Sequence, residues 1–387
     1  MRVFHLVQAY APAEFPTGPP QQLHRLLREM RAMDIDVRVI TTNGNGKNVL
    51  DVAAGRWSEF ERVPVFYGRR IPGSGDLSWD MWRAMVDEAG AGDLIHVTGI
   101  FSWINLAAAS VARRQGVPMV ISPRGSLDPD ALVYSPWKKA VYFRAGGSRA
   151  LAEAAGFHVT SEMERAYISA LLPGARIGIV PNGAAIPSDR DLDRWASVPA
   201  TAPTILFLGR IHPKKNVIAL VRAWATVAPR HPEAELVLAG PDDHGHRAEV
   251  ERTIAALGLA GSVKLPGFVG GEDLSRLLTT SAALVLPSVT ENFGNVVAEA
   301  LAHRVPVIAS TGTPWSGLSD RDCGWWIAPT VEGLAAAMTD ALAIGRAARK
   351  GKGLRGRQWM IEAFSWPEFA RRMADFYLEI LAERGTR

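Results

Sequence analysis

The chain has 387 residues, 48% hydrophobic and 21% charged, a composition that excludes a disordered chain and exceeds what one hydrophobic core usually serves, so two domains are expected. Lysine plus arginine number 43 against 39 aspartate plus glutamate, spread over both halves, and so small an excess does not imply nucleic acid as a partner. Cys323 is the single cysteine, which excludes an intrachain disulfide and a cysteine-rich metal site and suits a reducing, cytoplasmic setting.

The first residues, MRVFHLVQAYAP, lack the cationic start, long apolar stretch and small-residue cleavage site of a signal peptide. No apolar run reaches the roughly 20 residues that span a bilayer, so the protein is expected to be soluble or at most peripheral to a membrane. Residues 3–9, 21–33 and 37–41 read as strand, helix, strand. The alternation resumes with strands at 94–98, 118–122, 157–160 and 177–180, and with helices at 104–115, 136–154 and 162–171. Continuous β-rich runs separated by helix-length segments predict a parallel sheet covered on both faces.

The polar stretch 188–202 reads as a linker. After it, strands at 204–208, 234–239, 263–265, 282–286 and 305–309 predict a six-strand nucleotide domain, with Trp325 and Trp326 packing a late strand. Residues 345–357 carry six cations and no acid and read as a solvated helix. The final segment has Phe369, Met373, Phe376, Tyr377 and Ile380 at helical spacing. The expected domains are 1–187, with a helix at 366–387 packing back on it, and 188–365.

Two segments of the second half carry chemistry. In LVLPSVTENFGNVVAEAL a strand leads through a polar loop into a helix. The backbone N–H groups of Asn292, Phe293, Gly294 and Asn295 fall where the helix begins and have no partner within it, so they suit an anion or a sugar hydroxyl. Glu291 and Glu299 place two carboxylates at different depths along one ligand, and a carboxylate accepts from both hydroxyls of a vicinal diol. Taken singly, Glu299 reads equally as a helix-surface charge and Glu291 as a capping acid. In ILFLGRIHPKKNV, Arg210, Lys214 and Lys215 cluster where strand becomes loop, and Arg210 with Lys215 would stabilise charge on a departing diphosphate.

These motifs resemble the retaining glycosyltransferases of family 4, nearly end to end. The resemblance rests on the two glutamates separated by seven residues in PSVTENFGNVVAEAL, on HRVPVIAS after them, on GRIHPKK, and on VPNGAAIP as an interdomain crossing. It implies an α/β GT-B fold, two Rossmann-like doubly wound domains facing a central cleft. It further implies a hexose-type sugar moved from a nucleotide diphosphate sugar to a glycan or lipid-linked glycan in exopolysaccharide or lipopolysaccharide assembly. By resemblance Arg210 and Lys215 hold the diphosphate, Glu299 the ribose, and Glu291 with the NFGN backbone the donor sugar, while Phe268 and Val269 flank the base. Glu291 is counted with Arg210 and Lys215 among the catalytic residues. The family's Gly-Gly phosphate loop appears here as Thr17-Gly18-Pro19-Pro20. Gly18 carries over, and Pro19 removes an N–H donor.

On the acceptor side the sequence runs SPRGSLDPDAL where many relatives have a histidine, a form that resembles an exopolysaccharide and lipopolysaccharide branch. Arg124 and Gly125 are therefore acceptor-side candidates, with Arg124 either orienting acceptor or phosphate or pairing with Asp128 or Asp130. His5, His96, His158, His212 and His303 read as core or helix-surface residues, and Trp315 is placed near the ligand. No two of these five have metal-ligand spacing with a cysteine or acid, and no DxD pair sits in an equivalent donor loop, so neither metal nor cofactor is expected. A basic, aromatic helix over 135–149, with Trp137, Lys138, Lys139, Tyr142, Phe143 and Arg144, is a candidate for membrane contact at the inner face. Other readings remain open: a nicotinamide oxidoreductase, for which GxGxxG is missing, a sugar-nucleotide epimerase of the same fold, or a non-catalytic nucleotide-binding scaffold. Direct front-face displacement is the mechanism implied, with double displacement through a carboxylate as the alternative.

Overall fold

A computed structural model describes residues 1–13, 19–73, 76–197 and 202–385. The chain divides into two compact units, Met1–Gly183 with Trp366–Arg387, and Ala184–Ser365. The division falls slightly before Pro187. The Ala184 amide donates to the Phe364 carbonyl at 2.7 Å and Ala184 bridges to Ser365, so both ends of the second unit are tied to each other.

In the first unit an eight-stranded sheet runs, edge to edge, Ile177–Ile179, Gly156–Val159, Met119–Ser122, Asp93–Thr98, Arg2–Leu6, Asp36–Thr42, Val63–Gly68 and Trp57–Phe60. All neighbours are parallel except the last pair. Alternate strand residues serve two cores: Phe4, Ile40, Ile95 and Ile121 on one face, Val3, Val39, Leu94 and Val120 on the other. The helix Trp366–Gly385 covers the second face with Phe369, Met373, Phe376, Tyr377 and Ile380, all buried. The hairpin Trp57–Phe60/Val63–Gly68 turns at Glu61 and Arg62, both with positive φ, and helix Trp79–Glu88 starts at Ser78, whose hydroxyl accepts from the Met81 amide. These elements fill a stretch where the sequence pattern shows no strand or helix. The helix expected over 136–154 is three pieces, Pro136–Tyr142, the π turn Phe143–Gly147 and Ser148–Ala152, broken at Gly146 with φ 117°.

The second unit holds six parallel strands in the order Val263–Gly267, Glu235–Ala239, Thr204–Leu208, Ala283–Leu286, Val307–Ser310 and Gly324–Ile327. Ile205 and Phe207 enter one core, Leu206 and Leu208 the other. The stretch read as a linker forms helix Asp189–Ala196, because the Ser188 hydroxyl accepts from the Asp191 amide at 3.1 Å and two aspartates occupy the first turn. The basic stretch lies in helix Arg346–Phe364, where Lys352 and Arg355 pair with Asp322 and Arg357 is buried against the Ala302 and Pro187 carbonyls.

A buried polar chain crosses the first unit. The His158 Nε2–H donates to the Val180 carbonyl at 2.9 Å, which leaves Nδ1 to accept from Ser122 Oγ at 2.7 Å. Ser122 then accepts from His96 Nε2 at 2.6 Å, and His96 Nδ1 accepts from the Tyr377 hydroxyl at 2.5 Å. The order requires neutral rings, and burial pushes His5 and His158 down to about 3 and His96 well below its ordinary value. In the unfolded chain these imidazoles titrate near 6.5, so their contribution is complete above that pH and is lost progressively as pH falls toward 3. Unfolding free energy should therefore drop by about 1.4 kcal/mol per pH unit per histidine below pH 6.5. Thermal melts at pH 7, 6 and 5 provide the check, and a midpoint unchanged over that range contradicts the neutral chain.

Candidate active site

In the second unit strand order reverses between Thr204–Leu208 and Ala283–Leu286, which pair at Ile205↔Ala283 and Leu206↔Leu284. Ligands of doubly wound sheets bind beyond the carboxyl ends of the strands at such a reversal. GRIHPKK follows the first of these strands and SVTENFGN the second. The sequence therefore sends both chemistry-bearing loops to the same point.

The loops are joined there. The Val289 amide donates to the Lys214 carbonyl at 2.9 Å, and Lys215 Nζ pairs with Glu291 Oε1. The same carboxylate oxygen accepts from Ser288 Oγ at 2.7 Å, and the Glu291 amide donates to Gly312 O at 2.9 Å. Lys215 and Glu291 are only 19% and 14% exposed, so the pair is largely out of water. His212 Nδ1 accepts from the Lys214 amide at 3.1 Å and starts the turn Pro213–Lys215 that carries Lys215. Burial lowers the His212 pKa, which keeps that nitrogen an acceptor.

Arg210 stands apart from this pair. Its guanidinium is 66% exposed and donates to Asp243 Oδ2 at 2.5 Å. Asp243 and Ser288 are partners that the sequence reading missed. The signal for Asp243 was present, since GPDDHGH directly follows the strand Glu235–Ala239 beside Thr204–Leu208. At Gly240 an added Cβ would overlap the Gly209 carbonyl, so these two loops leave their strands in backbone contact.

The helix Asn295–Ala302 begins at Gly294, whose φ of 80° and closeness to the Leu286 side chain exclude a larger residue. Asn292, Asn295 and Glu299 are half-buried, with Glu299 in the second turn. Phe293 contributes only backbone: its ring is buried between Trp315 and Phe364. Trp315, placed near the ligand by the sequence, is instead 1% exposed and donates from Nε1 to the Phe293 carbonyl at 2.5 Å. It is a support of the loop from behind. Phe268 is 58% exposed at the end of the strand Val263–Gly267, and Val269 beside it is partly buried.

In the first unit Arg124 follows the strand Met119–Ser122 with φ 54° and Gly125 with φ 76°. Arg124 donates to Asn182 Oδ1 and its Nε has no partner, while the side chain of Asp130, one of the partners the sequence offered, lies outside the described residues. Glu164 accepts from the Gly125 amide at 2.8 Å and the Thr160 amide at 2.9 Å, which fixes the turn. Gly18 lies outside the described residues.

Removing one partner of a largely buried pair leaves the other charge uncompensated. Glu291→Gln and Lys215→Met should each lower the stability of the second unit by about 1 to 3 kcal/mol, and the double variant should lose less than the two single losses added, by roughly 0.5 to 3 kcal/mol. Denaturant melts of the four proteins measure this. Simple additivity contradicts an energetically coupled pair.

Two family models match in succession: "Glycosyl transferase 4-like domain" over residues 17–183 and "Glycosyl transferases group 1" over 189–353. The GDP-mannose:cellobiosyl-diphosphopolyprenol alpha-mannosyltransferase of Xanthomonas oryzae pv. oryzae is 25% identical over 313 residues, 80% of this chain and 78% of that one. A D-inositol 3-phosphate glycosyltransferase of Corynebacterium kroppenstedtii is 28% identical over 57% of this chain and 49% of its own length. Among solved structures, sucrose-phosphate synthase from Thermosynechococcus elongatus superposes with a TM-score of 0.75 at 20% identity, over 99% of this chain and 100% of that one. Anabaena HepE in complex with UDP and glucose gives 0.72 at 18%, over 98% and 100%. With both halves of the chain matched in order, and with two doubly wound α/β units carrying the paired-glutamate loop, this protein belongs to the glycosyltransferases of the family 4 type and has the GT-B fold.

Proposed function

We propose that the protein is a retaining hexosyltransferase that uses a nucleotide diphosphate sugar, needs neither metal nor cofactor, and glycosylates a glycan or lipid-linked glycan acceptor in cell-surface polysaccharide assembly at the cytoplasmic face of a membrane. The observation that carries this reading is the Lys215–Glu291 pair at the strand-order reversal, with Arg210 on the same loop as Lys215 and held by Asp243. A diphosphate brings the negative charge that Lys215 and Arg210 meet, and a sugar attached to it brings hydroxyls for Glu291. The lipid-linked acceptor is suggested by the Xanthomonas relative, whose name specifies a diphosphopolyprenol-linked disaccharide.

In this reading Glu299 accepts from the ribose hydroxyls, the Asn292 to Asn295 backbone and Glu291 hold the sugar, and Phe268 with Val269 flank the base. The resemblance assigns Gly18 to the phosphates and Arg124 with Gly125 to the acceptor. The sugar C1–O bond to the diphosphate breaks as the acceptor oxygen bonds to C1 on the same face. The acceptor proton passes to the departing phosphate oxygen, and the products are a nucleoside diphosphate and a glycoside of unchanged anomeric configuration. Arg210 and Lys215 stabilise the leaving group as its charge grows, which lowers the barrier more than it strengthens substrate binding.

Incubation with UDP-, GDP-, ADP- and dTDP-sugars, after a thermal-shift panel of the free diphosphates has selected the base, tests the proposal. Turnover should persist in excess EDTA, and proton NMR should find the donor's anomeric configuration in the product. Glu299→Gln should weaken nucleoside diphosphate binding by about 10- to 100-fold, the loss of a charge-assisted hydrogen bond. Glu291→Gln should reduce turnover by a similar factor while affecting the free diphosphate less. An inverted product, or activity that EDTA abolishes and magnesium restores, overturns the reading.

A further inference from the structure

Of the twelve tryptophans in the chain, those that are exposed, Trp79, Trp82, Trp103 and Trp137, all belong to the first unit. The densest exposure surrounds the last of them. Residues 133–138 are exposed without interruption, with Val133 at 74%, Tyr134 at 61% and Trp137 at 67%. Such a run in water is unfavourable unless something covers it.

The helix Pro136–Tyr142 is oriented by what it buries. The Tyr142 hydroxyl donates to Asn105 Oδ1 at 2.5 Å, and Tyr142 and Phe143 pack edge-on against Phe101. Lys139 Nζ donates to the Ala131 carbonyl and lies 5.2 Å from the Phe101 ring. Tyr142, Phe143 and Lys139, which the sequence nominated for membrane contact, are therefore occupied within the unit. Facing outward are Trp137 and Val141, at the i, i+4 spacing of one helical face, with Lys138 beside them and Arg144 exposed in the π turn that follows.

Charge selects the occupant. Residues 131–152 contain no acid, and among the described residues neither Lys138 nor Arg144 forms an ion pair. Lys138 Nζ instead sits 5.5 Å from the Trp137 ring, a cation held beside an aromatic. Tryptophan and tyrosine, apolar in body and polar at one end, favour the headgroup level of a bilayer, and lysine and arginine favour anionic headgroups there. No helix among the described residues is long and apolar enough to cross a membrane.

We propose that this face of the first unit, centred on Tyr134, Trp137, Val141, Lys138 and Arg144, docks the protein on an anionic phospholipid surface. The inference deepens the lipid-linked acceptor reading and rests on it for its purpose, since docking at a bilayer would present the enzyme to an acceptor held there. The test needs neither donor nor acceptor. Full-length protein is mixed with vesicles of phosphatidylglycerol and phosphatidylcholine, or of phosphatidylcholine alone, and flotation is measured at low and high salt. Wild type should float with the anionic vesicles, far less with the neutral ones, and be released by salt. Lys138→Ala with Arg144→Ala should weaken the partition by about 30-fold, at roughly 1 kcal/mol per cation. Trp137→Ala should weaken it by about 10-fold, and its melting midpoint should stay at the wild-type value because the side chain is exposed. Absence of wild-type flotation, or equal flotation by wild type and both variants, overturns the proposal. So does a wild-type dimer that Trp137→Ala dissociates, which would assign the face to a second copy of the chain. Flotation that persists in a protein inactive toward every sugar nucleotide leaves docking standing and removes the transferase reading instead.

Discussion

An ammonium and a carboxylate largely withdrawn from water, Lys215 and Glu291, set the geometry on which the candidate site depends. Neither could be buried alone without a cost of about 1 to 3 kcal/mol. Each is the other's reason for being where it is, and the loops that carry them must stay in register for the pair to survive. The Lys214–Val289 backbone bond keeps them so, and Ser288 and Gly312 position the second loop. In the proposed reading an incoming diphosphate competes with Glu291 for Lys215. Binding of phosphate would then release a carboxylate oxygen for the sugar, so phosphate capture and sugar recognition are linked through one contact rather than being two independent sites.

The first unit solves polar burial differently. His158, Ser122, His96 and Tyr377 exchange hydrogen bonds in one direction without any net charge, anchored by the Val180 carbonyl. A neutral chain pays no Born penalty, but its order is fixed by tautomer and so is intolerant of protons. Arg124 lies close enough for its charge to disfavour protonation of His96 and His158, adding to their burial. The acceptor-side candidate thus sits over a region that is held neutral, where among the described residues its positive charge has the neutral Asn182 as a direct partner and Glu164 as a nearby countercharge.

The parallel strands were legible because burial on both faces demands continuous runs such as VRVITT, ALVL and TILFL. The hairpin at Trp57–Gly68 was not, since an edge strand such as WSEF has no such run and its turn is made by Glu61 and Arg62 instead of glycine or asparagine. The helix Asp189–Ala196 was hidden by its polarity: Leu192 is its only buried residue, so composition resembled a linker although the Ser188 cap was in plain view. In the site, Lys215 and Glu291 could be named singly from their loops, while their direct pairing required the strand order. Phe293 and Trp315 show the limit most clearly. Their aromatic character says nothing of direction, and only packing against Phe364 reveals that they brace the loop.

The helix Trp366–Gly385 belongs to the first unit although the whole of the second unit precedes it in the chain. Synthesis therefore runs out of step with assembly. On the ribosome the second unit, contiguous from Ala184 to Ser365, has all its residues before the first unit has the helix that covers Val3, Val39 and Val120. Until Tyr377 emerges, His96 has a bare nitrogen and a sheet face stands open to chaperones or to another nascent chain. A stop codon within Trp366–Gly385 would thus uncover strands made long before it, while every residue of the second unit's sheet and of its Lys215–Glu291 pair would still be present.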